Sequence, residues 1–288
     1  MSFLKPPGLV IIVFSLILSA CQNGENNPTL TKEEHQPPGL IFAVPPYEMP
    51  SRIQQRFEPL TSYLSEVLDQ PVQLYITHSY EDQIKRLALG EVDLAYMGPS
   101  SYVKTRDNFQ QTGVNTIELI VAEAPYRAAI IVHQNSDIKS LTDLKNHSLA
   151  FGSYHSYTGH FIVRQLLRLE QIYLRDLQFY SYLGRHERAI MSVVHQEFDA
   201  AATTEGLAKR FIDLGYPIRV LHTSELLAPT VIVARKGLDT STIESLRDAL
   251  LLPSDKQLPK IAQSGHHFYE VDDYEFLEVR RILDLIEY

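Results

Sequence analysis

The chain has 288 residues, enough for two domains at about 150 residues each, and 44% hydrophobic with 21% charged residues is ordinary globular composition. Collagen-like, fibrous and disordered chains are excluded on that ground. Lys+Arg 26 against Asp+Glu 35 leaves a net charge of −9, so there is no field to hold nucleic acid or an anionic membrane surface, and a single cysteine cannot form an internal disulfide.

The first predicted element is a targeting segment. The run from Leu9 to Ala20, LVIIVFSLILSA, is almost entirely apolar and follows Lys5. A bilayer-spanning helix needs roughly 20 apolar residues, so this shorter run has signal-peptide proportions and residues 1–20 are expected to be removed. It ends in Leu18-Ser19-Ala20-Cys21, which resembles a bacterial lipobox, so Cys21 is expected to carry a lipid and anchor the chain. Residues 21–38 read as a solvated tether, because Asn, Pro, Glu and Lys dominate and large apolar side chains are almost absent.

From Gly39 onward, short apolar runs alternate with amphipathic stretches. Strands are predicted at 39–44, 72–76, 93–97, 118–122, 129–133, 148–151 and 230–234. Between the first two, Ile53, Phe57, Leu60, Leu64 and Val67 recur at helical spacing on one face. A second helix is predicted to begin near Ser79 with Asp82 in capping-box position, to continue through Ile84 and Leu87, and to stop at Gly90. Further helices are expected at 157–170, 186–196, 205–213, 241–252 and 272–286. Strands separated by helices imply βαβ units, hence an α/β fold with mostly parallel sheets.

The segment Phe151 to His160, FGSYHSYTGH, follows a strand and opens a helix. The first amides of a helix lack intrahelical partners and its dipole favours negative charge, so this helix opening is a candidate anion site with Ser156 and Thr158 as hydroxyl donors; taken alone, the segment favours the plainer reading of Ser156 or Thr158 as an N-cap. His186, in the first turn of a later helix, could donate to the same anion and carry charge near neutral pH, or be a surface histidine. Glu205 could accept a hydrogen bond from a protonated ligand oxygen or an ammonium group, or simply be a first-turn helix acid. There is no G-x-S-x-G elbow, P-loop, dinucleotide glycine fingerprint or HExxH, and no Cys/His spacing of a zinc site. No catalytic residue, metal site or cofactor is therefore assigned.

Taken together, VPPYEMP (44–50), GEVDLAYMGPSSYV (90–103), SYHSYTGH (153–160), GRHERAI (184–190), FDAAATTEG (198–206) and RKGL (235–238) resemble the phosphate, phosphite and phosphonate solute-binding proteins of ABC importers, the PhnD-like family. The resemblance covers nearly all of 39–288. It implies a two-lobed type II periplasmic-binding fold, lobe 1 from 39–125 plus 225–288 and lobe 2 from 126–224, with crossovers near 122–127 and 221–225. It also implies ligand contacts by Tyr47, by Tyr96 and Ser100, by Ser156, Tyr157 and Thr158, by His186 and by Glu205. The chain departs from the family at Ser153-Tyr154, where Asp-Pro is usual, at Tyr157 in a Ser-Thr-Ser position, and near Ala228-Pro229-Thr230, where an acid facing the amine of aminoalkylphosphonates is replaced. The implied function is capture of a small phosphorus oxyanion outside the cytoplasmic membrane for an ABC permease and its ATPase. The implied protein is a monomer that meets the membrane only through its lipid and does not bind nucleic acid. A same-fold receptor for a sulfonate or a thiamine-precursor pyrimidine, a ligand-sensing subunit, and an enzyme are the alternatives.

Overall fold

The computed structural model describes residues 39–110, 117–254, 256–262 and 265–287; the expected signal segment, Cys21 and the tether lie outside them. Strand β1 (Leu40–Val44) pairs in parallel with β2 (Val72–Ile76) and β3 (Leu94–Met97), through helices α1 (Pro50–Leu68) and α2 (Tyr80–Ala88). Helix α1 starts on Pro50, whose fixed φ suits a first turn, and buries Ile53, Phe57, Leu60 and Leu64 as their spacing predicts. Val67 stays half-buried. At α2 the Ser79 hydroxyl accepts from the Asp82 amide at 3.0 Å, while Asp82 Oδ2 accepts from the His78 amide at 3.0 Å, one residue earlier than a strict capping box.

Helix α3 (Pro99–Gln110) is absent from the sequence-based expectation. Its buried residues include Ser100, Ser101 and Thr105 beside Tyr102 and Val103, so no apolar stripe announces it. Thr105 Oγ1 donates to the Ser101 carbonyl at 2.8 Å, which satisfies that hydroxyl inside the protein, whereas the buried Ser101 hydroxyl has no partner among the described residues.

After β4 (Ile117–Ala122) the chain crosses into a second sheet through β5 (Ala128–His133), β6 (Ser148–Phe151), a π-helical turn at Tyr157–Phe161 continuing as α4 (Ile162–Leu169), β7 (Phe179–Tyr182), α5 (His186–Val194), β8 (Ala200–Thr204), α6 (Glu205–Asp213) and β9 (Ile218–Thr223). It then returns through β10 (Val231–Arg235), α7 (Thr240–Leu251), the short α8 (Leu258–Ile261) and α9 (Leu277–Glu287). Strands β7, β8 and β9 are also absent from the expected strands. Of these, β7, Phe-Tyr-Ser-Tyr, is a half-exposed edge without alternation, β8, Ala-Ala-Ala-Thr-Thr, has no large apolar side chain, and Arg219 and His222 interrupt β9.

The two sheets are alike. Their strand orders are β2-β1-β3-β10-β4 and β7-β6-β8-β5-β9. In each, four strands run parallel, and the fourth in order, β10 or β5, runs antiparallel to both neighbours. That strand is in each case the one the chain lays down just after crossing between sheets.

Alternation along the strands sorts side chains to two faces. Phe42, Leu94 and Ile232 meet α1 and α7 through Phe57 and Leu246, while Ala43, Ala95 and Val233 face the opposite layer. In the second sheet Ile130, Leu149 and Ala202 pack on Val163 and Leu167, and Ile131, Ala150 and Ala201 pack on Ile190 and Phe211. Helix α9 sets Val279, Ile282 and Leu283 in a cluster that also holds Met97 and Tyr102 of the first lobe and Phe161 and Ile162 of the second. No described helix is long and apolar enough to cross a membrane.

Candidate functional site

A cavity of about 330 Å³ lies between the lobes, lined from the first by the loop after β1, the end of β3 and the start of α3, and from the second by the π-turn, α5 and the start of α6. Each of these is a strand end or a helix start, where backbone amides lack helical or ladder partners.

The π-turn supplies one wall. Ser156 caps it, with Oγ accepting from the Gly159 amide at 3.0 Å. The same oxygen lies 3.1 Å from His186 Nε2. The amides of Tyr157 and Thr158 precede any carbonyl in helical register and so remain available as donors. Among the described residues the Thr158 hydroxyl has no hydrogen-bond partner, and it stands in the cavity wall.

His186 therefore faces Ser156. Burial pushes its pKa from the usual 6.5 down to about 4, against a small opposing pull from the Ala202 backbone. That burial disfavours the charged form considered for it near neutral pH. Ser100 lines the cavity, but its hydroxyl donates across the cleft to the His155 carbonyl at 2.7 Å, so its proton is committed to the protein.

Five phenols line the cavity: Tyr47, Tyr80, Tyr96, Tyr126 and Tyr157. Burial raises every one of their pKa values, that of Tyr47 to about 12, so all stay protonated donors at neutral pH. The Tyr96 hydroxyl donates to Glu123 Oε2 at 2.8 Å.

Glu205 is not in the lining. Helix α6 turns Gly206, Leu207 and Arg210 to the cavity, and the Glu205 carboxylate goes to Lys209 Nζ at 3.5 Å, one turn along its own helix. The first-turn-acid reading describes this position. The acids that do line the cavity are Glu48 and Glu123, which sequence reasoning missed along with Arg56, Tyr80, Tyr126 and Arg210. Glu48 is only 1% exposed; its Oε1 lies 3.0 Å from Arg56 Nη1 of α1 and its Oε2 2.9 Å from Arg210 Nη1 of α6. Arg56 Nη1 also donates to the Tyr47 hydroxyl at 3.4 Å. Thr230 lines the cavity where the replaced acid was expected, and Glu123 sits beside it, its amide donating to the Thr230 carbonyl at 2.9 Å. A Glu following an apolar strand was the one signal available for Glu123, and nothing local distinguished it from a surface acid.

The lobes meet directly around the cavity. The His186 amide donates to the Tyr47 carbonyl at 3.1 Å, the Met49 amide to Glu187 Oε2 at 2.8 Å, and Lys104 Nζ lies 3.3 Å from His155 Nδ1. Among the described residues no cluster of three or more His, Cys, Asp or Glu is placed to hold a metal ion.

Known proteins share this fold. A phosphate-import protein, PhnD, of Mycolicibacterium smegmatis is 23% identical over 249 residues, covering 81% of this chain and 77% of that protein. The crystal structure of PhnD1 from Prochlorococcus marinus with methylphosphonate superposes with a TM-score of 0.80 at 18% identity, over 86% of this chain and 98% of that one. A binding-protein component of an ABC phosphonate transporter from Pseudomonas aeruginosa gives 0.76 at 18% identity, over 87% of each chain. These likenesses agree with the mixed α/β, type II periplasmic-binding architecture. The model of a protein family, the periplasmic substrate-binding proteins of phosphonate ABC transporters, matches residues 42–273, and the chain belongs to that family.

Proposed function

We propose that the protein captures a small phosphorus oxyanion, a phosphonate, phosphite or phosphate, outside the cytoplasmic membrane and delivers it to an ABC permease. The supporting observation is the wall at Ser156–Thr158, where free amides and a free hydroxyl meet protonated tyrosines in a cleft between two lobes. Such a wall stabilises an anion by fixed dipoles, so the acidic net charge of −9 is no obstacle to binding. Capture and release need no covalent step. The test is a thermal-shift and calorimetric screen against phosphate, phosphite, methylphosphonate and sulfate. A true ligand at a hundred times its Kd adds about 2.7 kcal/mol, a shift of roughly 5–10 °C for a protein of this size. Thr158→Ala should weaken binding about tenfold to a hundredfold, the effect of one hydroxyl donor to a charged group. Unchanged affinity in that variant places the anion elsewhere.

In this reading the protein works as a monomer tethered by lipidated Cys21 after loss of residues 1–20, the proposal resting on the Leu18-Ser19-Ala20-Cys21 sequence. Cys21→Ser should release the protein from membranes or leave an uncleaved precursor, read by fractionation and immunoblot. A variant that is processed and stays membrane-bound like the parent contradicts the anchor.

A further inference from the structure

We propose that the ligand of this cavity is an organophosphonate or phosphate monoester with a bulky uncharged substituent, rather than a bare inorganic oxyanion; this rests on the oxyanion reading above. The first argument is space. A water molecule takes a share of about 30 Å³ of liquid, so a tetrahedral ion of about five heavy atoms needs roughly 100–150 Å³. The cavity offers about 330 Å³. Walls set that far apart cannot all touch an ion with four short arms, and a substituent of roughly six to ten heavy atoms would fill the remainder.

The second argument is what lines that remainder. Tyr47, Tyr80, Tyr96, Tyr126 and Tyr157 present ring surface as well as hydroxyls, and ring surface rewards a flat or aliphatic group. The ionic groups of the wall are already matched within the protein. Glu48 takes both guanidiniums, Arg56 and Arg210, and Glu123 accepts from the Tyr96 hydroxyl. Across the lining two guanidiniums and two carboxylates cancel, so the surplus positive potential is that of the π-turn amides, which the phosphoryl oxygens occupy. A second anionic group on the ligand has no such place.

The third argument is the pair of glycines. Gly98 and Gly206 both line the cavity, and a Cβ built on either meets no heavy atom within 4 Å. Neither residue sits at positive φ, so side chains there are unstrained and project into open volume. They are places where the chain leaves room.

The experiment is a calorimetric comparison of phosphate, phosphite, methylphosphonate, butylphosphonate and phenylphosphonate on the parent, on Gly98→Val and on Gly206→Leu. The parent should bind butyl- or phenylphosphonate about tenfold or more tighter than phosphate and phosphite, since each buried methylene adds apolar contact. At least one filling variant should shrink that preference about tenfold while leaving methylphosphonate within about threefold of the parent. Two variants are used so that a folding failure in one leaves the other to report. Phosphate or phosphite bound as tightly as phenylphosphonate by the parent overturns the inference and leaves the oxyanion reading intact, as does a preference untouched by both fillings. Binding of none of the five overturns both.

Discussion

Glu48→Gln should loosen the closed arrangement of the lobes and release ligand about tenfold faster, and Arg210→Gln should do nearly the same. Glu48 is anchored in the loop after β1, while its two partners come from different lobes: Arg56 on α1 and Arg210 on α6. One buried carboxylate thus ties a helix of its own lobe to a helix of the other. The guanidiniums keep 35% and 33% of their side-chain surface, so water moderates the effect, and the stability cost should be about 1–3 kcal/mol rather than the full penalty of a buried unpaired charge. Arg210→Gln leaves Arg56 and Glu48 together and removes only the link across the cleft, so a double-mutant cycle isolates that link. Small-angle scattering would report the opening, and tyrosine fluorescence the release rate, since the chain has no tryptophan. Parent-like scattering and parent-like release in both variants would show that the remaining contacts, such as Met49 to Glu187 and Ser100 to His155, hold the lobes unaided.

Acid should weaken the fold between pH 7 and pH 5, before carboxylates titrate. His160 and His186 are both buried, and burial lowers each pKa to about 4. In the unfolded chain they take up protons near pH 6.5; in the folded chain they refuse them until about pH 4. Across that window the unfolded state binds more protons, so the unfolding free energy falls as the pH falls. At pH 5 each histidine should account for about 2 kcal/mol, together a large part of the roughly 5–15 kcal/mol typical of a folded protein. His155, lowered by burial and by Lys104, adds in the same direction. His160→Phe keeps a ring among Phe151, Tyr154, Phe161 and Tyr182, loses the bond from Nδ1 to the Tyr154 carbonyl, and should remove about half of the pH dependence. Urea unfolding at pH 7.5 and 5.0 measures it, and a parent with equal stability at both values would contradict the neutral buried state of these rings.

What was legible in the sequence and what was not divide along one physical line. The alternation of apolar runs with helical faces was enough for seven strands and for α1, because burial of Phe42 or Ile53 is written in local period. Ser156 and Thr158 stand in the cavity wall at a helix start, a boundary that is also local, whereas Tyr47 and Tyr96, likewise in the wall, were indicated only by the family resemblance. Helix α3 was invisible because serines and threonines make part of its buried face. The charged part of the lining was invisible for another reason: Glu48 meets Arg210 at a separation of 162 residues, and no pattern near either one announces the other. Glu205 is the converse case. It lies one residue from Gly206, which lines the cavity, yet the helix carries its side chain round to Lys209.

The exchanged strands bear on how the chain assembles as it emerges. All five strands of the second sheet lie within one contiguous stretch, 128–223, so that sheet can be completed without anything that follows. The first sheet cannot. Its strand β10 fits between β3 and β4, so from the moment Ala122 is laid down until Val231 arrives, both keep a raw edge of unpaired amides and carbonyls. The half that leads in synthesis is therefore the half that finishes last, and it waits more than a hundred residues in a state prone to pairing with a neighbouring chain. A cut between the end of β9 and β10 would leave one intact half and one sticky remnant. Such a protein has reason to depend on holding factors along its export route, and to be most vulnerable there while its last quarter is still missing.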